Sequence, residues 1–248
     1  MRHLLSTQGL LSEIMDKNKK DEPYNPKLIY KDKAGASLYI GMAPGKKDRK
    51  WNRCLEDDLN NIKSLGVRIV VCLLAPHEVT KLKIKNYEDQ VGSRGMKLVH
   101  VPIKDMSIPS LDSLSILSSF ISKEICMGKS VLIHCRCGKG RSKTIAGAVL
   151  SCLGQKHNSL ENSEGKIDIA EDQIKIIHLH SVSISRQIRP GSTRPRNCAQ
   201  SYSCNDIHRR RLRNNITAER NTCADTCADI CLSKIAHNQN VIYSSRVP

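Results

Sequence analysis

The chain has 248 residues, of which 39% are hydrophobic and 26% are charged, so it can form one sizeable domain with tails or two small ones. No apolar run of about 18 residues occurs, which excludes an evident transmembrane helix, and no cleavage site of a secretory signal follows the first residues. The net charge of +16 favours an anionic partner such as a phosphoprotein, an inositol lipid or a nucleic acid.

The eleven cysteines occur without an export signal, which indicates reduced thiols and predicts a cytoplasmic protein, with the nucleus as an alternative. Their spacing matches no zinc-binding pattern. We therefore expect neither a metal nor a cofactor.

Residues 1–34 are rich in Lys, Asp, Asn and Pro and are predicted to form a polar tail. Strands and helices then alternate along the chain. The predicted strands are Ala36–Gly41, Val67–Leu74, Lys97–Pro102 and Ser130–His134. The predicted helices are Arg53–Leu65, a polar stretch at His77–Gly92, Ser110–Met127 and Arg141–Leu153.

This alternation predicts an α/β domain with a central, mainly parallel sheet flanked by helices. We place the domain at residues 35–190, with a clear pattern up to about residue 153. Residues 191–248 form an Arg- and Cys-rich segment without a pattern of helices or strands, and we expect it to be disordered.

The segment that indicates chemistry is HCRCGKGRS, residues 134–142, between a predicted buried strand and a predicted helix. A glycine-containing loop before a helix N-terminus can point its N–H groups at a phosphate dianion. The same groups stabilise a thiolate, which makes Cys135 the candidate nucleophile. Arg141 can hold two phosphate oxygens with its planar guanidinium. The residues expected around the phosphate are Arg136, Cys137, Gly138, Lys139, Gly140 and Arg141.

This motif resembles the signature of the cysteine-dependent dual-specificity and protein tyrosine phosphatases: His-Cys, five residues, then Arg and Ser or Thr. The upstream segment YIGMAPGKKDRKWNRCLEDDLNNIKSLGVRIVVCLL is similar to the corresponding part of the cyclin-dependent kinase-associated phosphatase (cyclin-dependent kinase inhibitor 3) family. The likeness covers about residues 36–153. It implies a single protein-tyrosine-phosphatase-like domain.

The resemblance also implies roles for three further residues. Asp105, thirty residues before Cys135, would be the general acid that protonates the leaving oxygen. Ser142 would donate a hydrogen bond to the sulfur and help it leave when the phosphocysteine is hydrolysed. His134 would orient the loop through backbone hydrogen bonds, without acting as an acid or a base.

We therefore predict a protein phosphatase that acts on phosphothreonine, phosphoserine or phosphotyrosine through a cysteinyl-phosphate intermediate. The resemblance implies a cyclin-dependent kinase as its partner. A phosphoinositide phosphatase is the alternative, because Arg136 and Lys139 resemble the extra cations in the loops of that family. Protein is favoured over lipid, because the upstream match is longer than those two residues.

Two other classes stay open. A catalytically impaired phosphate-binding module would result if the C-terminal third lacked a helix that covers the sheet. The run HRRRLR at His208–Arg213 suits a nucleic acid, but no aromatic residues are interleaved with it, so nucleic-acid binding is disfavoured.

Overall fold

The computed structural model describes residues 23–48, 51–161 and 169–187. Its strands are β1 (Lys27–Lys31), β2 (Ser37–Gly41), β3 (Lys47–Asp48), β4 (Trp51–Asn52), β5 (Val67–Cys72), β6 (Lys97–His100) and β7 (Ser130–His134). Its α-helices are α1 (Leu55–Ser64), α2 (Pro76–Lys81), α3 (Tyr87–Gly92), α4 (Leu111–Cys126), α5 (Arg141–Cys152) and α6 (Glu171–Gln187). A short 3₁₀ turn spans Asn158–Leu160.

The main sheet has five strands in the order β1-β2-β7-β5-β6. β1 pairs antiparallel with β2, whereas β2, β7, β5 and β6 are mutually parallel. The predicted fold class, a mainly parallel sheet flanked by helices, is therefore confirmed. Ligands of such sheets bind beyond the carboxyl ends of the strands, and the HCRCGKGRS segment begins at that end of β7.

Both faces of the sheet are covered. Along β7, Val131 and Ile133 point into an apolar cluster that contains residues of α4 and α5. Leu132, between them, points into a second cluster with residues of α1 and α3. Strands buried on both faces read as continuous apolar runs, and this is why the sequence pattern located β5 and β7 well.

The structure corrects the predicted N-terminal boundary. β1 lies inside the stretch that the sequence analysis assigned to a polar tail, so the folded domain includes at least Lys27–Lys31. Only Ile29 of this strand is buried in the core. An edge strand with a single buried core residue leaves a weak sequence signal.

The middle of the chain also differs in detail. The predicted polar helix at His77–Gly92 is two helices, α2 and α3, because Lys83 and Asn86 between them adopt left-handed backbone angles. β3 and β4 form a small hairpin that was not predicted.

The helix α6 was not predicted either. Residues 188–248, which include the predicted disordered segment and the HRRRLR run, lie outside the described residues. Within the described ranges, no helix is long and apolar enough to span a membrane.

Candidate active site

The loop of residues 135–140 connects β7 to α5. Cys135 stands at the strand end with 3% of its surface exposed, and the Gly138 N–H donates to its Sγ at 3.2 Å. Gly138 has φ +74°, and a Cβ there would lie 2.6 Å from the carbonyl carbon of Gly41. This position therefore requires glycine. An inward N–H close to the sulfur is the arrangement that stabilises a thiolate.

Arg141 is the first residue of α5 and is buried. Its Nη1 and Nη2 donate to the two carboxylate oxygens of Glu78 at 2.6 and 2.9 Å, and Nη1 also donates to the Ile103 carbonyl at 2.8 Å. Three contacts from two segments fix the plane of the guanidinium. Glu78 itself belongs to α2, and its Oε2 also accepts the Ala75 N–H, which holds the carboxylate in place.

Each residue of this pair favours the charged form of the other. Burial by itself would raise the pKa of Glu78, but the hydrogen bonds from Arg141 and Ala75 outweigh it, and the net pKa is lowered. Burial would likewise lower the pKa of Arg141, but the bond to Glu78 and nearby negative charges raise it. Both residues are thus ionised at neutral pH.

Asp105 lies on the loop that follows β6, and 52% of its side chain is exposed. Its Oδ1 is 2.9 Å from Nη2 of Arg141. The structure therefore brings the predicted acid to the mouth of the Cys135 loop. In this arrangement the carboxylate contacts the guanidinium, and its role as the general acid stays a prediction.

His134 is fully buried beneath the loop. Its Nε2 lies 2.7 Å from the Tyr87 hydroxyl, and the two rings meet edge to face at 5.6 Å. Burial lowers the pKa of His134 to about 3, against the opposing effect of the nearby Cys135 backbone; among the described residues its Nδ1 has no hydrogen-bond partner, so the predicted backbone bond from this atom is not formed in this structure. The imidazole is thus neutral at physiological pH, which suits an orienting residue better than an acid or a base.

Ser142 follows Arg141 and is completely buried. Among the described residues, its hydroxyl has no hydrogen-bond partner, so the predicted bond to the Cys135 sulfur is not formed in this structure. Its proposed action on the sulfur stays a prediction.

The side chains of Arg136 and Cys137 turn toward β3. Arg136 Nη2 is 3.8 Å from a carboxylate oxygen of Asp48, and the buried Lys46 amine lies 3.1 Å from the same oxygen and 3.7 Å from the Cys137 sulfur. These contacts fasten the outer side of the loop to the hairpin. Lys139 is exposed.

Sequence reasoning did not identify Glu78, Tyr87 or Lys46. Glu78 and Tyr87 belong to a stretch that looked like one polar helix, and their burial depends on how two short helices pack against the sheet. No group of potential metal-ligating side chains occurs in the part of the chain that the structure describes.

A family model described as a DSP-PTPase phosphatase of polymorphic toxin systems matches residues 44–155. The chain is 25% identical over 158 residues to cyclin-dependent kinase inhibitor 3 of Rattus norvegicus, which covers 62% of this chain and 74% of that protein. It is 29% identical over 132 residues to phosphatidylglycerophosphate phosphatase PTPMT2 of Arabidopsis thaliana, which covers 52% of this chain and 49% of that protein.

A solved structure of kinase associated phosphatase, in which serine replaces the catalytic-site cysteine, has a similar fold. The TM-score is 0.50 at 19% identity, and the similarity covers 80% of this chain and 100% of that one.

Proposed function

Because the chain belongs to the cysteine-dependent dual-specificity and protein tyrosine phosphatase family and is similar to cyclin-dependent kinase inhibitor 3, we propose that it removes phosphate from phosphothreonine, phosphoserine or phosphotyrosine in a protein. One observation carries this proposal. The buried Cys135 thiol and the fixed guanidinium of Arg141 stand at the two ends of one short loop, and the Asp105 carboxylate contacts Arg141.

These groups supply what phosphoryl transfer needs. The Cys135 thiolate attacks phosphorus while Arg141 and the loop N–H groups hold the equatorial oxygens. The ester oxygen leaves with a proton from Asp105, which yields an alcohol and a cysteinyl phosphate. Water then attacks phosphorus, Asp105 takes up a proton, and inorganic phosphate and the thiolate are released.

For the substrate, we propose a phosphoprotein, with a cyclin-dependent kinase as the first to test. Support comes from the similarity to cyclin-dependent kinase inhibitor 3 upstream of the loop. That similarity includes the segment that carries Lys46 and Asp48, which contacts the loop directly.

A phospholipid substrate is the second candidate. Arg136 and the exposed Lys139 add positive charge to the loop, and the Arabidopsis relative is a phosphatidylglycerophosphate phosphatase by name. Asp48 offsets part of this charge, because its carboxylate contacts both Lys46 and Arg136. This offset favours a substrate with one phosphate over a multiply phosphorylated headgroup.

Two assays test the proposal. Hydrolysis of nitrophenyl phosphate by the purified chain, absent in Cys135→Ser, separates an enzyme from a binding module. A panel of phosphopeptides, inositol phosphates and phosphatidylglycerophosphate then ranks kcat/KM by substrate class. Preference for phosphopeptides supports the proposal, preference for a lipid headgroup replaces it with the second candidate, and phosphopeptide binding without turnover indicates the impaired module.

A further inference from the structure

The segment that joins α2 to α3 presents a row of lysines. Residues 81–85 have the sequence KLKIK, and the three lysines are exposed. The two apolar residues between them, Leu82 and Ile84, are buried in the cluster that also contains residues of α1 and α3. Burial of these alternate residues therefore holds Lys81, Lys83 and Lys85 on the outer face of the domain.

The backbone at Lys83 is left-handed, with φ +55°. The Lys83 N–H donates to the Thr80 carbonyl at 3.0 Å. The Ile84 N–H donates to the Val79 carbonyl at 3.2 Å. These two bonds form a Schellman motif at the end of α2, where glycine is the usual left-handed residue because it has no Cβ. A lysine is less stable than glycine at this position, so the ending of the helix does not account for it.

Contacts through the hairpin place this row beside the Cys135 loop. The Leu82 carbonyl accepts the N–H of Lys47 in β3 at 3.1 Å. Lys46, the preceding residue, has its Nζ 3.7 Å from the Cys137 sulfur in the loop. The Lys47 side chain is itself exposed, so it extends the row toward the loop. We call Lys47, Lys81, Lys83 and Lys85 the lysine surface.

The carboxylates around the lysine surface are engaged elsewhere. Glu78, the acidic residue of α2, is buried against Arg141, and Asp48 contacts Lys46 and Arg136. Among the residues that the structure describes, no carboxylate forms an ion pair with any member of the lysine surface. Its positive charge is thus open to an anionic partner next to the candidate active site.

We propose that the lysine surface binds an acidic stretch of a phosphoprotein substrate, close in sequence to the phosphorylated residue that enters the Cys135 loop. This inference rests on the phosphatase function proposed above and narrows its substrate class. Charge complementarity is one argument for this partner. A second argument separates it from a membrane, because membrane-binding surfaces combine cations with exposed apolar side chains. Within residues 76–92, no large apolar side chain is exposed.

The competing explanation is that these lysines are merely solvated, or that they complement the dipole of α2. A glutamine triple (Lys81→Gln, Lys83→Gln and Lys85→Gln together) removes three charges, whereas an arginine triple at the same positions keeps them. The matched control changes Lys31, Lys33 and Lys63 to Gln. These three residues are exposed and lie near the starts of β2 and β5, at the edge of the sheet opposite the Cys135 loop.

The readout is the acidic preference, which is the ratio of kcat/KM for a glutamate-flanked phosphothreonine peptide to that for the matching glutamine-flanked peptide. Peptides with the glutamates before and after the phosphothreonine are both measured. We expect a preference of about 10-fold in the wild type at low ionic strength, the sum of a few exposed ion pairs. Salt near 0.5 M should reduce it, because the Debye length shortens.

The glutamine triple should lose most of the acidic preference, while the arginine triple and the control keep it. Lys83→Gly should raise the melting temperature, because glycine suits the left-handed position, and should also lower the preference. An unchanged preference in Lys83→Gly would remove Lys83 from the lysine surface.

Equal kcat/KM for the two kinds of peptide in the wild type, or a glutamine triple that keeps the preference, would overturn the inference, while hydrolysis of nitrophenyl phosphate would still support the phosphatase. Binding to phosphatidylglycerol vesicles that the glutamine triple loses, without any acidic preference, would assign the surface to a membrane instead. A wild-type protein that does not hydrolyse nitrophenyl phosphate would overturn the phosphatase function and this inference together.

Discussion

The ion pair between Glu78 and Arg141 is buried, and its two hydrogen bonds orient the guanidinium in the candidate active site. Both side chains are almost fully buried, at 6% and 3% exposure. Removal of one partner from such a pair leaves a buried charge without compensation, which typically costs about 3–5 kcal/mol of stability. Glu78→Ala should fall in that range.

Glu78→Gln should cost less, about 2–3 kcal/mol, because the amide oxygen still accepts one hydrogen bond and Asp105 offers a second carboxylate. The substitution should affect the orientation of Arg141 more than the free energy of unfolding. The two hydrogen bonds at 2.6 and 2.9 Å become one, because the new amide NH₂ and the Arg141 guanidinium are both donors and cannot bond to each other. Arg141 must then rotate, and its other contacts cannot hold the plane that phosphate binding requires.

Urea unfolding gives the stability change, and kcat/KM on nitrophenyl phosphate gives the functional change. We expect a fall in kcat/KM of about 100-fold for Glu78→Gln, from misplacement of the charge that stabilises the transition state. Glu88→Gln, an exposed carboxylate on α3, is the control and should match the wild type in both assays. If Glu78→Gln retained wild-type stability and turnover, the claim that this pair sets the orientation of Arg141 would be refuted.

Three further predictions follow from the same loop. Cys135→Ser should abolish turnover yet keep phosphopeptide binding, since the hydroxyl is a far weaker acid than the thiol. Cys137→Ser should have nearly wild-type turnover. Equal losses of turnover in the two variants, measured in steady-state assays, would contradict the assignment of Cys135 as the nucleophile. Arg141→Lys should impair nitrophenyl phosphate and phosphothreonine substrates alike, because the bidentate hold on the phosphoryl group is lost whatever the leaving group is; a loss on one substrate only would argue against that role. His134 has a folded pKa of about 3 and an ordinary value of 6.5, so below pH 6.5 the unfolded chain takes up a proton that the folded chain does not. Its contribution to stability is complete above that pH and falls by about 1.4 kcal/mol per pH unit toward pH 3. When the free energy of unfolding is measured by urea titration across this range, it should depend less steeply on pH in His134→Asn than in the wild type. An equally steep dependence would mean that His134 is not buried as a neutral ring.

The sequence was sufficient for the parts of the structure that local patterns determine. Continuous apolar residues identified β5 and β7, and the spacing between Cys135 and Arg141, with glycines between them, predicted a phosphate-binding loop. Asp105 required a comparison with a known family, because a single loop carboxylate has no distinguishing pattern of its own.

The residues that support the loop could not be found in this way. Glu78 becomes a partner of Arg141 only when α2 packs across the end of the sheet. The buried face of α6 consists of Gln173, Ile176, Ile177 and His180, at the spacing of three and four that a helix requires. Because two of these four are polar, the apolar periodicity that would have predicted the helix is incomplete.

We expect the contact between Asp105 and Arg141 to link substrate binding to acid catalysis. Arg141 directs Nη1 and Nη2 at Glu78, which is buried and held by α2, and Nη2 also at Asp105. An incoming phosphate needs part of the guanidinium edge, and of the two carboxylates only the half-exposed Asp105 is placed to give way. The dianion should therefore displace Asp105, and the displaced carboxylate then lies at the mouth of the loop, where the leaving oxygen departs.

This exchange predicts opposite effects of one substitution on binding and on turnover. Asp105→Asn removes the competing charge and should tighten binding of inorganic phosphate about 2- to 5-fold, the modest range expected for a half-exposed ion pair. The same variant lacks the proton donor and should slow hydrolysis of phosphothreonine ~100- to 10,000-fold, but nitrophenyl phosphate much less, because nitrophenolate leaves almost unaided. Calorimetry with phosphate and kcat/KM on the two substrates provide the test, with Asp89→Asn, an exposed carboxylate on α3, as the control. Weaker phosphate binding in Asp105→Asn would show that the carboxylate does not compete for Arg141, and wild-type turnover of phosphothreonine would require another acid, with Asp112 the first to examine.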